Sequence, residues 1–281
     1  MRAMATAGVT AMAMELIPRI SRAQSMDALT SQALVSGYAA GLTAATTLPR
    51  FFPLFMTAAG TVPPARVLVL GAGVAGLQAI ATAKRLGAVV HAYDVRAASA
   101  DEVRSVGATF ITLDLEALEG AGGYARDMTA DRAARQRELL APHVAAADAL
   151  ITTAAVPGRR APLLVTTSMV AGMRPGRVVV DLAAETGGNV EGVAAGRLTE
   201  VAGPGGTVAL VGMKDAASRV PVDASRLYSG NITALLGLLA SDGEVRVDLD
   251  DEVVAGACLT HAGEVRHAAT AQALSSEGPV T

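Results

Sequence analysis

The stretch that decides the fold reads RVLVLGAGVAGLQAIATAKRLGAVVHAYDVR and spans residues 66–96. Residues 67–70 form a short apolar run rich in β-branched side chains, which is typical of a buried parallel strand. Three glycines follow with G-x-G-x-x-G spacing, and residues 77–86 then place apolar side chains at helical spacing. A second apolar run, over 88–93, ends at an aspartate. The chain has 29 glycines, so the triplet alone carries little weight, but this order of elements predicts a dinucleotide-binding βαβ unit.

Each glycine of the triplet has a separate physical role in such a unit. Gly71 allows the tight turn that leaves the strand, Gly73 lets the backbone approach a pyrophosphate, and Gly76 lets the helix pack closely on the strand. The amino end of the helix offers free N–H groups and the positive end of its dipole to the phosphates. The triplet therefore predicts the pyrophosphate site.

The residues at the end of the second strand bear on the choice of cofactor. Asp94 can accept hydrogen bonds from an adenosine ribose, and its carboxylate would repel a 2′-phosphate. An arginine near this position can instead serve NADP, and Arg96 is such a residue. Because Asp94 is present, the sequence favours NAD(H) over NADP(H).

Composition and charge narrow the class of protein. The chain has 281 residues, which predicts one large or two small domains, and a net charge of −3 that argues against a nucleic-acid partner. Hydrophobic residues make up 51% of the chain but aromatic residues only 3%, so we expect a core of small side chains. Cys258 is the single cysteine, which excludes an internal disulfide and fits a reducing cytosol. No spacing of Cys or His predicts a metal site.

The rest of the central region continues the alternation of strands and helices. It predicts an α/β fold with a doubly wound parallel sheet of the Rossmann type, in the strand order 3-2-1-4-5-6. Ligands bind beyond the carboxyl ends of such strands, near the point where the strand order reverses. This places residues 71–76, residues 154–157 and a flexible polar loop at 183–189 around one crevice. The four strands predicted beyond the βαβ unit are 108–113, 149–153, 177–181 and 207–211.

The two ends of the chain are predicted to be less regular. Residues 9–17 read as a strand, and residues 19–27 (RISRAQSMD) read as a polar loop. Ser25 is a candidate cap for a long, nearly uncharged helix over 28–47. At the other end, short alternating runs within 245–265 predict a small hairpin.

Several stretches together resemble the NAD(H)-binding α subunit of proton-translocating NAD(P) transhydrogenase. They are RISRAQSMD, MTAAGTVPPAR with the glycine loop and helix that follow it, AYDVRA, and AGGYA. The resemblance covers residues 9–267. Alanine dehydrogenase is the nearest relative with the same fold.

The resemblance implies a function that no single motif specifies. It implies a component that binds NADH and passes a hydride to NADP⁺ on a partner subunit, coupled to proton translocation. The expected partners are a membrane-spanning subunit, an NADP(H)-binding subunit and a second copy of the chain in a homodimer. The expected location is the cytoplasm, at the surface of the cytoplasmic membrane through those partners.

The resemblance also implies roles for individual residues. Arg19, Gln24 and Asp27 match the family's Arg-Gln-Asp loop, which positions the nicotinamide end, and Thr30 stands where the family usually has Ser. The other matches are cofactor-lining positions: Ala72, Gly73 and Val74 at the pyrophosphate, Asp94, Val95 and Arg96 beside the ribose, and Gly123, Gln136 and Ala155 elsewhere.

Two departures from the family pattern affect these expectations. The segment that precedes the position of Val9 in the family, and forms most of its first domain, does not occur in this sequence. Residues 1–24 and 226–281 are therefore expected to be a discontinuous remnant of that domain, and residues 25–225 the NAD(H)-binding Rossmann domain. In the family's mobile loop, Met213 and Ala217 replace an aromatic residue or His and a Pro, which puts loop closure in doubt.

Three functions stay open on the sequence. Hydride transfer between two nicotinamides requires their C4 atoms to lie about 3–3.5 Å apart without water, and it needs no acid or base. An alanine-dehydrogenase-like enzyme needs such a group and a cationic carboxylate anchor, which in that family come from the absent N-terminal part. A non-catalytic NAD-binding remnant is the third.

A second glycine-rich run, 203–206, is predicted to precede a strand, whereas a pyrophosphate-binding loop follows one. NADP(H) is therefore expected on another polypeptide.

Overall fold

The structure is a computed structural model, and it describes residues 1–115, 129–156, 158–241 and 243–276. Its helices are α1 (Arg2–Thr6), α2 (Ala28–Thr47), α3 (Val74–Arg85), α4 (Ser99–Ser105), α5 (Ala130–Ala146), α6 (Thr167–Ala171), α7 (Pro221–Leu239), α8 (Glu252–Ala257) and α9 (Ala268–Ser276). Its strands are β1 (Ala11–Met12), β2 (Phe55–Thr57), β3 (Gly60–Val62), β4 (Arg66–Leu70), β5 (Val89–Tyr93), β6 (Thr109–Phe110), β7 (Ala149–Thr152), β8 (Val178–Asp181), β9 (Leu198–Gly203), β10 (Gly206–Gly212), β11 (Ala240–Ser241), β12 (Glu244–Val245), β13 (Cys258–His261) and β14 (Glu264–Val265). Short 3-10 helices lie at Met14–Leu16, Ser21–Met26, Ala184–Thr186 and Ala216–Arg219.

The chain divides into two compact units. The first contains Met1–Gln32 and Val222–Thr281, and the second is Ala33–Pro221. The assignment of residues 1–24 and 226–281 to a domain remnant, and of 25–225 to an NAD(H)-binding domain, stays a prediction.

A seven-stranded sheet forms the centre of the second unit. Its order is β6-β5-β4-β7-β8-β10-β9, and every neighbouring pair is parallel except β9 with β10. In the numbering of the predicted strands this is 3-2-1-4-5-6, so the predicted Rossmann order is confirmed. The sheet reverses its order between β4 and β7, which places the ends of these two strands at the switch point.

One strand of the sheet was not predicted. β9 lies antiparallel at the edge, with Thr199 opposite Leu210. All its side chains are exposed or half-buried, and Leu198 retains 60% of its exposure. An edge strand with this burial lacks the continuous apolar run by which the central strands are recognised.

Both faces of the sheet are covered, and β4 illustrates how. Val67 and Val69 enter the core on one face, where α2, α3 and α4 pack, and Leu68 and Leu70 enter the core on the other face with α5 and α6. Successive strand side chains point to opposite faces, so a strand buried on both faces must be apolar at every position. This requirement explains the uninterrupted apolar run in the sequence.

Small residues allow the helices of the second unit to pack backbone against backbone. A Cβ added at Gly37 of α2 would overlap the carbonyl oxygen of Ala75 in α3. One turn further along α2, a Cβ at Gly41 would lie 2.9 Å from the side chain of Thr82. The alanine-rich, aromatic-poor composition thus produces the predicted core of small side chains.

A buried carboxylate links the amino ends of the central strands. Asp148 is 1% exposed and lies directly before β7. Its Oδ2 accepts a hydrogen bond from the N–H of Arg66 at 2.9 Å. Its Oδ1 lies 2.9 Å from Arg50 Nη1, 3.2 Å from Arg174 Nη2 and 2.8 Å from Arg177 Nε. One aspartate therefore places its single negative charge among three arginines.

The first unit contains the small sheet β1-β13-β14 and a separate apolar core. The predicted strand over 9–17 was wrong except at Ala11–Met12. Met14 and Ile17 are both buried, and their spacing of three matches the 3-10 turn that replaces the strand.

The predicted hairpin over 245–265 is correct only at its end, where β13 pairs with β14. Residues 252–257 form α8 instead. Asp251 caps this helix by accepting hydrogen bonds from the N–H groups of Val253 and Val254. Elsewhere, no helix in the described parts of the chain combines the length and apolar character needed to cross a membrane.

We predict that Asp148→Ala lowers the free energy of unfolding by about 3–5 kcal/mol, because it leaves the half-buried Arg50 and Arg177 without their counter-charge. Urea denaturation followed by circular dichroism measures the change. Asp101→Ala is the matched control, since Asp101 pairs with Arg104 on an exposed helix face and should cost less than about 1 kcal/mol. Equal losses in the two variants would contradict the role given to Asp148.

Candidate functional site

The turn from β4 into α3 requires glycine at two positions because of the backbone conformation and the close packing of the chain there. Gly71 has a φ of +100°, and a Cβ there would lie 2.6 Å from Thr153 Oγ1. A Cβ at Gly76 would overlap the carbonyl oxygen of Gly71. The fold therefore needs both glycines whether or not a ligand binds.

Gly73 differs from the other two glycines. It is exposed, its φ is −74°, and a Cβ added there would meet no described atom within 4 Å. It is the N-cap residue of α3, and no side chain in the described parts of the chain caps this helix. The first N–H groups of the helix thus lie beside a residue that has no side chain and no described atom within 4 Å of where its Cβ would be, which is the arrangement an anionic pyrophosphate requires.

Asp94 follows β5 and lies against the same turn. Its Oδ2 accepts hydrogen bonds from the N–H of Ala72 at 2.7 Å and from Arg96 Nη2 at 2.9 Å. Its Oδ1 accepts from the N–H of Arg96 and from Arg96 Nε, both at 2.9 Å. Burial by itself would raise the pKa of the Asp94 carboxyl, but the hydrogen bonds from Arg96 and Ala72 outweigh it and lower that pKa.

Three loops at the carboxyl ends of the strands are joined by hydrogen bonds. Thr153 Oγ1, after β7, donates to the carbonyl of Gly71 at 3.1 Å. Asn189, after β8, accepts from the N–H of Ala154 at 2.9 Å and donates to its carbonyl at 2.7 Å. The structure therefore brings together the loops that the sequence placed around one crevice, although Pro157 lies outside the described residues.

The loop after β8 is more ordered in its hydrogen bonding than the predicted flexible segment. Asn189 is fully buried, and its N–H and that of Val190 donate to Asp181 Oδ2 at 2.7 and 3.0 Å. Ala183 donates to Asp181 Oδ1 at 2.8 Å. Burial raises the pKa of Asp181, and these backbone donors oppose it. Sequence reasoning missed both side chains, although an aspartate ending a strand and an Asn after Gly-Gly are recognisable signals.

The remaining predicted positions of the second unit have different surroundings. Gln136, on α5, is 2% exposed, and its Nε2 has no hydrogen-bond partner in the described parts of the chain. A buried amide in this state has a donor available for a ligand. Ala155 is exposed, Val95 packs partly into the core, and Val74 is 39% exposed. Gly123 lies outside the described residues.

The predicted nicotinamide segment belongs to the first unit. Ser21–Met26 is a 3-10 helix, not the predicted irregular loop. Asp27, not Ser25, caps α2: its Oδ1 accepts from the N–H of Thr30 at 2.9 Å, and its Oδ2 accepts from the Thr30 hydroxyl at 2.6 Å. Arg19 and Gln24 are exposed. Asp27 therefore has a structural role that its motif does not reveal.

Two contacts within the first unit hold this segment in place. Asn231 of α7 is 7% exposed, donates to the carbonyl of Ser25 at 2.8 Å and accepts from the Ser31 hydroxyl at 2.7 Å. Arg22 forms a two-pronged ion pair with Asp251, both distances being 2.9 Å. Asn231 was not identified from the sequence, because its partners are about 200 positions away in the chain.

Two predictions about the region after β8 need correction. The polar run 213–219 (MKDAASR) predicts an exposed loop, but its first residue, Met213, is fully buried, and Ala217 lies in the 3-10 helix Ala216–Arg219. The run 203–206 follows a strand as well as preceding one, because it turns β9 into antiparallel β10. A hairpin turn still lacks the helix that a pyrophosphate site needs.

Comparison with known proteins identifies the family. The sequence profile "Alanine dehydrogenase/PNT, C-terminal domain" matches residues 40–268. An NAD(P) transhydrogenase subunit alpha of Rhodospirillum rubrum is 50% identical over 266 residues, which are 93% of this chain and 68% of that protein. The chain belongs to the NAD(P) transhydrogenase α-subunit family.

Structural comparison agrees with this family. A transhydrogenase from Sinorhizobium meliloti superposes with a TM-score of 0.82 at 49% identity, over 94% of this chain and 70% of that one. An L-alanine dehydrogenase reaches 0.73 at 24% identity, over 98% and 71%. The similarity to the alanine dehydrogenase shows a shared fold. The similarity to the transhydrogenase agrees with the sequence motifs that resemble that family.

The transhydrogenase-type glycine loop yields a test of the roles assigned to its glycines. We predict that Gly76→Ala lowers the melting temperature by many degrees or prevents folding, because the added Cβ would overlap a backbone carbonyl that cannot move freely. Gly73→Ala should melt within about 2 °C of the wild type, because its Cβ enters open space. Differential scanning calorimetry distinguishes the two. A Gly73→Ala variant as unstable as Gly76→Ala would assign Gly73 a structural role.

Proposed function

We propose that this chain is the NAD(H)-binding component of a proton-translocating NAD(P) transhydrogenase. In this role it binds NADH and presents it to NADP⁺ held by a partner subunit. The observation that carries the proposal is Gly73: an exposed glycine that the fold does not need, at the uncapped start of α3, with Asp94 hydrogen-bonded to the same turn. Membership of the transhydrogenase family supports the reaction.

The second unit supplies the groups for the dinucleotide backbone and ribose. The amides at the start of α3, next to Gly73 and Val74, would bind the pyrophosphate by hydrogen bonds and by the helix dipole. Asp94 would accept hydrogen bonds from the adenosine ribose. The amide of buried Gln136, which has no partner among the described residues, would donate to the bound cofactor, and this gives a reason for an otherwise costly buried group.

The family resemblance assigns Gln24, Asp27 and Thr30 to the nicotinamide end of the cofactor. Gln24 is exposed and its side chain has no hydrogen bond to any described residue, so it is available for a ligand. Asp27 keeps unused lone pairs beyond those it offers to Thr30. Thr30 retains the hydroxyl of the usual Ser, and this hydroxyl donates a hydrogen bond to Asp27.

Bound NADH would supply the hydride. The chain's own residues would hold the nicotinamide in a fixed orientation and exclude water, and they would transfer no proton. This mechanism requires no histidine to act as an acid or a base. His91 is half-buried in β5, and burial, Arg66 and His143 lower its pKa, so it is neutral near pH 7.

The same proposal includes the partners. NADP(H) would be held by an NADP(H)-binding subunit, because the other glycine-rich run, 203–206, is a hairpin turn without a following helix. A membrane-spanning subunit would translocate the protons and keep the chain at the cytoplasmic surface of the membrane. Two copies of the chain would form a homodimer.

The decisive experiment mixes the chain with the NADP(H)-binding subunit and follows hydride transfer by stopped flow. We predict transfer only in the mixture. Gln24→Ala should slow transfer by about tenfold to a hundredfold, because small errors in orientation strongly affect such a reaction. Its dissociation constant for NADH should change by less than about threefold, because the glycine loop provides most of the binding. NADH binding without transfer in the wild-type mixture would favour a non-catalytic NAD-binding protein.

Variants at Asp27 need a control for folding. Asp27→Ala removes the cap of α2 and should cost about 1 kcal/mol of stability, whereas Asn is an equally good cap. Asp27→Asn is therefore the variant whose transfer rate reports on function. Wild-type rates in both Gln24→Ala and Asp27→Asn would remove this segment from the mechanism.

Binding at the glycine loop is tested separately. We predict that Gly73→Ala weakens NADH binding at least about tenfold, equivalent to about 1.4 kcal/mol, because the methyl group occupies the space next to the pyrophosphate. The enhancement of NADH fluorescence on binding gives the dissociation constants. Gly230→Ala is the matched control, since a Cβ there also meets no described atom within 4 Å and Gly230 is not a proposed contact. Unchanged affinity in Gly73→Ala would contradict the proposed site.

A further inference from the structure

The carboxylate of Asp94 has no lone pair left for a ribose. A carboxylate offers about four acceptor positions. Here they receive four donors: the N–H of Ala72, the N–H of Arg96, and Nε and Nη2 of Arg96, all at 2.7–2.9 Å. The ribose site proposed above is thus filled by the chain itself.

Only some of these donors can leave. The N–H groups of Ala72 and Arg96 are backbone groups, and Ala72 is fully buried in the turn before α3. The guanidinium of Arg96 stands on a flexible side chain that is 21% exposed. Its departure would free one acceptor on each oxygen of Asp94, which is what the two hydroxyls of a ribose require.

The guanidinium also affects how strongly the charge of Asp94 favours NADH over NADPH. While it is paired, the negative charge of Asp94 is largely neutralised at a distance of 2.9 Å. Once displaced from Asp94, the Arg96 guanidinium is still only two positions away along the chain. It can then pair with a 2′-phosphate. An Asp94 opposed by Arg96 therefore discriminates less against NADPH than an isolated carboxylate would.

We propose that the Arg96 guanidinium occupies the ribose position on Asp94 in the unliganded chain, that NADH displaces it, and that Arg96 thereby limits the preference of the site for NADH over NADPH. This makes Arg96 a selectivity-determining residue, opposite in effect to Asp94. The inference rests on the proposed NAD(H)-binding function.

The test measures dissociation constants for NADH and for NADPH by cofactor fluorescence in wild type, Arg96→Ala and Arg96→Lys. Arg96→Ala should bind NADH somewhat more tightly and NADPH more weakly, so that the ratio of the two constants rises at least about tenfold. Arg96→Lys keeps the charge but lacks the planar fork, so its ratio should stay within about threefold of the wild type.

Arg104→Ala is the matched control. Arg104 lies eight positions after Arg96 and carries the same charge, but it pairs with exposed Asp101. Its ratio should equal that of the wild type, and melting curves confirm that each variant is folded. A ratio unchanged in Arg96→Ala, or an equal loss of affinity for both cofactors, overturns the inference while leaving NADH binding intact. If Arg96→Ala does not fold, Arg96→Lys decides, and a tenfold change in its ratio overturns the inference. Failure of the wild type to bind NADH refutes the proposed function itself, and the inference with it.

Discussion

The position of α3 is fixed by contacts that admit no side chain. A Cβ at Gly76 would overlap the carbonyl of Gly71, and a Cβ at Gly37 of α2 would overlap the carbonyl of Ala75. The first turn of α3 is therefore held by backbone contacts against the turn after β4 on one side and against α2 on the other. Backbone-to-backbone contact leaves little freedom, so the amides at the start of the helix are aimed before any ligand arrives.

Asp94 extends this constraint to the neighbouring strand. By accepting from the N–H of Ala72, it ties the end of β5 to the glycine loop, while Thr153 ties the end of β7 to the same loop. Asn189 then joins the loop after β8 to Ala154. The crevice at the switch point is thus built from four consecutive strand ends that share hydrogen bonds, which suits a site that must hold a cofactor in one orientation.

The sequence predicted the sheet order well because the central strands are buried on both faces and are therefore almost entirely apolar. It also located the glycine loop and Asp94, whose spacing is set by local geometry. It missed β9, whose edge position requires no apolar run, and it placed Met213 in solvent because a single Met between a strand end and a polar run continues no periodic pattern. The roles of Asn189 and Asn231 depend on partners far away in the chain, which no local pattern encodes.

The number of free acceptor positions separates the aspartates of this chain by function. Asp181 receives three backbone donors and is fully buried, so its role is to shape a loop. Asp27 receives two donors, both from Thr30, and can still accept from a ligand. Asp94 receives four, but two come from one side chain.

The two backbone donors of Asp94 are enough to hold the glycine loop in place, and they do not depend on Arg96 keeping its side chain in position. The two guanidinium donors satisfy the buried carboxylate when no ribose is present, which avoids the cost of an unpaired charge. Under the proposal above, a ribose that replaced them would leave the loop unchanged, so binding at this position would require the movement of one side chain and not of the backbone.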